Sequence, residues 1–152
     1  MPATASPTAA DAKLSDFLCF SVYSANLAFG RAYKPLLDEL GITYTQWIVI
    51  VALWEKDEQT VKALGETLFL ESNTLTPILK KLEELGFVSR RRDAADERQV
   101  LVALTPAGRR LREEGGECSQ LLNTGLDAEE FASLRTAMKK LRSNLLTLNR
   151  QD

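Results

Sequence analysis

The chain of 152 residues contains no histidine. Without imidazole there is no Ser-His-Asp or Cys-His nucleophile and no histidine metal site. Its two cysteines, Cys19 and Cys118, are too few for a four-thiolate zinc site. These absences predict no metal, no cofactor and no enzyme. No apolar run reaches membrane-spanning length, so no membrane partner is expected. The opening MPATASPTAADAK lacks an apolar signal core, and its Ala, Pro, Thr and Ser content predicts a disordered tail over 1–13. A cytoplasmic, reducing location is the default expectation, and there two cysteines are expected as thiols rather than a permanent bridge.

What is present fits one domain, or one protomer whose outer helices need a partner. Hydrophobic content of 45% suffices for a core. The net charge of -2 is unevenly spread. Between Lys62 and Arg112 there are ten Lys/Arg against seven Asp/Glu; elsewhere there are nine against fourteen. A phosphate backbone meets the local excess, not the total.

Apolar residues at Leu14, Leu18, Val22, Ala25, Phe29, Ala32 and Leu36 predict a helix over 14–40. Its middle, FLCFSVYSANLAF, is apolar almost all round, which suggests burial against a second subunit. Gly30 and Pro35 are places where it could bend or split. Thr43 or Thr45 caps the next helix, whose apolar run WIVIVALW reads as the central core; a strand over IVIVAL is the competing reading. Thr60 caps a short helix to Leu68, and a turn at Leu70–Glu71 leads into a second. That second helix sets Leu75, Ile78, Leu79, Leu82 and Leu85 on one face, and Ser72, Asn73, Thr74, Thr76, Lys80 and Lys81 on the other. Pro77 requires a start near Ser72 or Asn73, or a kink. Gly86 suits the helix end. Two strand-like runs, Phe87–Arg92 and Gln99–Leu104, flank a charged loop. Thr105-Pro106 opens a fifth helix running to about Leu122, and Asp127 with Glu130 caps the last. There Phe131, Leu134, Met138, Leu141, Leu145 and Leu148 form a heptad-like seam for another helix, on a second copy or on the first helix.

Together these elements predict a mainly α fold: a winged helix-turn-helix with a two-stranded β wing, and N- and C-terminal helices forming a dimerisation base. Residues 14–152 form the protomer, with 43–105 as the DNA-binding region and 14–42 and 106–150 as dimerisation helices. The expected partner is double-stranded DNA carrying a palindromic operator, read by a homodimer. Ser72, Asn73, Thr74, Thr76 and Lys80 would enter the major groove. Arg90, Arg91, Arg92 and Arg98 place four guanidinium groups in nine residues. Arg90 and Arg92 would add wing contacts, Arg98 would enter a minor groove, and Asp96 would hold its fork. A solvated polar face and an ion pair of little worth are the blander readings.

The phrases TLTPILKKLEELGFVSR and D-E-R-x-V-x-V-x-L-T-x-x-G resemble the MarR family of dimeric winged-helix repressors. LCFSVYSANLAFGRAYKPLLDELGITYTQW looks like its organic hydroperoxide-sensing branch, the OhrR group, with similarity over Leu14 to Arg142. The resemblance implies that Cys19 is the peroxide sensor and that Tyr23, Tyr33 and Tyr44 shape its pocket. It also implies that Cys118 resolves oxidised Cys19, here through an intersubunit disulfide, and that Arg98 with Asp96 forms the minor-groove pair. The effector would be an organic hydroperoxide.

The chemistry is compatible with that. A cysteine on an apolar helix is ordinarily an inert small hydrophobe. Phenol donors near sulfur favour thiolate, the nucleophile toward peroxide. Tyr23 lies one turn from Cys19, but Tyr33 is about 21 Å along a straight helix. It reaches Cys19 through a bend, or from an antiparallel partner helix. Leu18, Phe20, Val22 and Trp47 are candidate apolar walls. Rival readings are a MarR-type repressor released by a non-covalent aromatic ligand, a thiol peroxidase, and a winged helix used for protein contacts.

Overall fold

The apolar run 47–54 forms a helix, not a strand. The computed structural model describes residues 10–115, 124–148 and 150. They fall in two compact units, Met1–Ser119 and Gln120–Asp152. In the first, a 3-10 turn at Leu14–Asp16 precedes α1 (Leu18–Leu40) and α2 (Tyr44–Glu55). Then come β1 (Gln59–Thr60), α3 (Val61–Leu68), α4 (Ser72–Glu84), β2 (Val88–Arg92), β3 (Val100–Leu104) and α5 (Pro106–Gly115). In the second unit, α6 spans Ala128–Leu148.

The Thr43 hydroxyl starts α2 by accepting from the Gln46 N–H at 3.3 Å, and the Gln46 side chain accepts from the Thr43 N–H at 2.9 Å. This reciprocal cap outweighs the β-branched residues that favour a strand. Val49, Ile50 and Leu53 are fully buried against Leu64 of α3, Leu75, Leu79 and Leu82 of α4 and Val102 of β3. Thr60 caps α3 through the Ala63 N–H at 3.0 Å. The helix starting at Leu14 is shorter than expected, because residues 14–16 close a 3-10 turn instead. Gly30 and Pro35 do not split α1, which is continuous over 23 residues.

The wing pairs β2 with β3 antiparallel, in the register Val88↔Leu104, Arg90↔Val102 and Arg92↔Val100. The sequence reading missed a third strand: β1 pairs Gln59 with Val102, giving the order β1-β3-β2. Two residues are too few for alternation to show. Gly86 closes α4 with φ +82, a left-handed conformation that glycine adopts without steric cost. In the second unit, Asp127 accepts from the Glu130 N–H at 2.9 Å and Glu130 accepts from the Asp127 N–H at 3.0 Å, as the capping-box spacing predicts.

Candidate nucleic-acid interface and sensor helix

Helix α4 buries Leu75, Leu79 and Leu82 and leaves Ser72, Asn73, Thr74, Thr76 and Lys80 exposed. It begins at Ser72, as expected, and Pro77 lies inside it as its sixth residue. Thr76 Oγ1 donates to the Ser72 carbonyl at 2.7 Å, so its lone pairs remain for an outside donor. Gly65 explains the tight turn between α3 and α4. A Cβ there would lie 2.6 Å from the Leu70 carbonyl oxygen.

The four wing arginines differ sharply. Arg98 is widely open, with its side chain 91% exposed. Asp96 holds it twice, accepting from the Arg98 backbone N–H at 3.2 Å and from Nε at 3.1 Å. Arg92 Nη1 donates to the Glu97 carbonyl at 2.8 Å. Arg91 pairs with Glu58 at 3.3 Å. Arg90, also expected at DNA, is half-buried and pairs with Glu83 of α4 at 3.1 Å. The side-chain hydrogen bond from Arg90 holds the Glu83 carboxyl below its usual value against the opposing effect of burial. Glu83, Arg90, Arg91, Arg92 and Val100 line an open cleft of about 230 Å³.

Sequence reasoning also missed Asp57, at the base of the wing. Its Oδ1 accepts from the N–H groups of Glu58 and Leu104, both at 2.9 Å, and Oδ2 accepts from Arg109 of α5 at 3.1 Å. Burial pushes this carboxyl up, but the Leu104, Glu58 and Arg109 donors outweigh it and leave it lowered. Thr105 Oγ1 donates to the Gly86 carbonyl at 2.6 Å and accepts from the Gly108 N–H at 3.2 Å. Trp54 Nε1 donates to the Gly108 carbonyl at 3.1 Å. These bonds join the end of α2, the wing base and the first turn of α5. No sequence period marks Asp57, because its partners lie 47 and 52 residues away.

Cys19 is a free, exposed thiol and the second residue of α1. Tyr23 is exposed, with its ring 6.5 Å from that of Phe20. Tyr33 and Tyr44 pack with ring centroids 5.3 Å apart and planes tilted by 53°, joining α1 to α2. Because α1 is unbroken, this phenol pair stands about 21 Å along the helix from Cys19 of the same chain. Trp47 is one of the expected apolar walls of the sensor pocket. It is buried in the core, edge-on to Trp54 at 5.1 Å. The middle of α1 is not enclosed within one chain: Leu18, Tyr23, Leu27 and Phe29 are exposed. On α6, Phe131, Leu134, Met138, Leu145 and Leu148 are exposed. Cys118 and the expected continuation of the fifth helix to Leu122 lie outside the described residues, as do residues 1–9 of the expected tail. Among the described residues no group of three or more His, Cys, Asp or Glu side chains could hold a metal ion, and no single helix is long and apolar enough to cross a membrane.

A helix-turn-helix whose second helix shows a polar face, backed by an arginine-rich β hairpin, defines a winged-helix protein. The model for the transcriptional regulator SarA/Rot family matches residues 31–114. The organic hydroperoxide resistance transcriptional regulator of Bacillus subtilis (strain 168) is 42% identical over 136 residues, spanning 90% of this chain and 89% of that protein. Reduced AbfR bound to DNA, the AbfR protein being from Staphylococcus epidermidis, superposes with a TM-score of 0.77 at 37% identity, covering 91% of this chain and 96% of that one. Disulfide-formed AbfR superposes less closely, with a TM-score of 0.62 over 91% and 93% of the two chains. The chain belongs to the MarR family of winged-helix transcriptional regulators, beside its organic hydroperoxide resistance members.

Proposed function

We propose that this protein is a homodimeric repressor that binds a palindromic operator and releases it when an organic hydroperoxide oxidises Cys19. The observation that carries the reading is the exposed thiol of Cys19 on an unbroken α1. With α1 continuous from Cys19 to Tyr33, the Tyr33–Tyr44 pair reaches a Cys19 if a second α1 runs antiparallel. The exposed apolar rows on α1 and α6 suit such a dimer base, with 14–42 and 106–150 as dimerisation helices and 43–105 as the DNA-binding region. A relative solved both reduced on DNA and in a disulfide form supports a redox-linked change.

The Cys19 thiolate attacks a peroxide oxygen, the O–O bond breaks, and an alcohol leaves as sulfenic acid forms. The Cys118 thiol of the other subunit then attacks that sulfur, releasing water and leaving an intersubunit disulfide. Ser72, Asn73, Thr74, Thr76 and Lys80 enter the major groove, while Arg92 contacts the backbone. Arg98, held by Asp96, enters the minor groove. Recognition helices about 34 Å apart read the two half-sites, and tilting either one releases the operator.

The test is a DNA shift assay with and without cumene hydroperoxide, paired with a non-reducing gel. Oxidised wild type leaves DNA and runs as a covalent dimer. Cys19→Ser stays bound, and Cys118→Ser gives no covalent dimer. A wild type that stays bound, or releases DNA equally well without Cys19, sinks the reading.

A further inference from the structure

We propose that Glu83 and Arg90 form a brace that sets the angle between the recognition helix and the wing, so that Arg90 is a positioning residue and not a phosphate contact. The inference rests on the DNA-binding reading above. Glu83 lies in the last turn of α4 and Arg90 is the third residue of β2. One carboxylate takes both groups of its partner: Oε2 accepts from the Arg90 backbone N–H at 2.9 Å, and Oε1 from Nη2 at 3.1 Å. Two bonds from one planar group fix direction as well as distance.

The burial pattern agrees. The Arg90 side chain is 25% exposed, against 57% for Arg91 and 91% for Arg98. Arg90 Nε is buried without a hydrogen-bond partner, so this guanidinium has given up solvent to reach Glu83. The covalent link between the two elements is only Leu85-Gly86-Phe87, with Gly86 in the left-handed region. Glycine supplies little stiffness there. The Arg90 side-chain hydrogen bond that holds the Glu83 carboxyl below its usual value is this same contact. If groove contacts are made by α4 and by the wing tip, their separation depends on this cross-link.

The two roles for Arg90 predict opposite signs. If Arg90 neutralised a phosphate, Glu83 would compete with DNA, and Glu83→Gln would tighten binding. A brace predicts that Glu83→Gln weakens it. The probe is a duplex selected by the wild type from a random pool, compared with an unrelated duplex of equal length. For Glu83→Gln and Arg90→Gln we expect a loss of about tenfold on the selected duplex, comparable to one mismatched base pair. Binding to the unrelated duplex and the salt dependence should stay unchanged. Arg92→Gln serves as the contact control. It should weaken both duplexes and lower the slope of log affinity against log salt by about 0.9. Glu83→Asp keeps the charge but shortens the arm. It should behave as Glu83→Gln does, and it replaces that variant should the glutamine fail to melt cooperatively. Tighter binding by Glu83→Gln, or a slope lowered by about 0.9 in Arg90→Gln, overturns the brace. A wild type that selects no duplex refutes the DNA-binding reading itself, and the brace with it.

Discussion

Substituting alanine for Gly108 tests how the wing base is joined to α5. The added Cβ would sit 2.2 Å from the Phe87 carbonyl oxygen, 3.1 Å from its carbon and 3.0 Å from Leu104 Cδ2. Carbon and oxygen rarely approach closer than about 3.3 Å, so the contact must open by roughly 1 Å. That oxygen is not free to move, since it accepts from the Thr105 N–H at 3.0 Å. The Gly108 carbonyl is also held, by Trp54 Nε1 at 3.1 Å. Lengthening each by that amount passes the limit of a hydrogen bond, at about 1 kcal/mol apiece. Overpacking strain adds about 1–3 kcal/mol, and the better helix propensity of alanine returns at most about 1 kcal/mol. The net loss is about 2–4 kcal/mol, a large part of a typical stability of roughly 5–15 kcal/mol. Urea unfolding followed by tryptophan fluorescence, at one fixed protein concentration, reads it directly. Trp54 should also report a changed environment in the folded baseline. A variant within about 0.5 kcal/mol of wild type would show that the glycine of T-x-x-G is not required by close approach.

Three further outcomes follow from the geometry. Asp57 and Glu83 both have lowered carboxyl values in the fold, so each contributes stability that is complete above the unfolded carboxylate range, near pH 4, and is lost as pH falls through the lower folded values. Asp57→Asn should therefore flatten the acid limb of stability against pH, measured by urea midpoints from pH 3 to 6 (about one unit either side of that range); an unchanged limb refutes the assignment. Arg98→Ala should weaken operator binding by about tenfold or more, most strongly where the flanking minor groove is narrow and A·T-rich, and Asp96→Asn should give part of that loss. Equal binding to narrow and wide grooves by the wild type argues against it. Replacing exposed Leu134 and Leu145 on α6 by Lys should lower the dimer fraction in sedimentation at micromolar protein, and an unchanged dimer removes α6 from the interface.

The helices and the wing were legible in the sequence because their signals are local. The Thr43, Thr60, Thr105 and Asp127 caps act within three residues, and all four are made. The α4 face repeats every three or four residues, so Leu75, Leu79 and Leu82 were readable as core. What escaped was non-local. Strand β1 exists because Gln59 and Thr60 find the free edge of β3, over forty residues on. Asp57 matters through Leu104 and Arg109, and Glu83 through Arg90 across a turn. In sequence Arg90 is indistinguishable from the other wing arginines, and only its low exposure sets it apart.

That last difference changes how the charge of the DNA-binding stretch should be weighed. Ten Lys/Arg against seven Asp/Glu suggested a footprint built by excess. Three of the four wing arginines instead face a carboxylate: Arg90 with Glu83, Arg91 with Glu58 and Arg98 with Asp96. The more exposed pairs, Arg91 with Glu58 and Arg98 with Asp96, add about 0–1 kcal/mol each to stability, too little to be what holds the fold together. Their effect is on direction. Each carboxylate fixes where a long, flexible cation points, at a cost in net positive charge. Affinity from phosphate contacts would then be modest and strongly placed, and operator choice would depend on whether the arginines arrive in register. If the protein releases its operator as proposed, this arrangement favours release: a small rotation of either reading head of the proposed dimer would forfeit placed contacts that a merely sticky basic surface would keep.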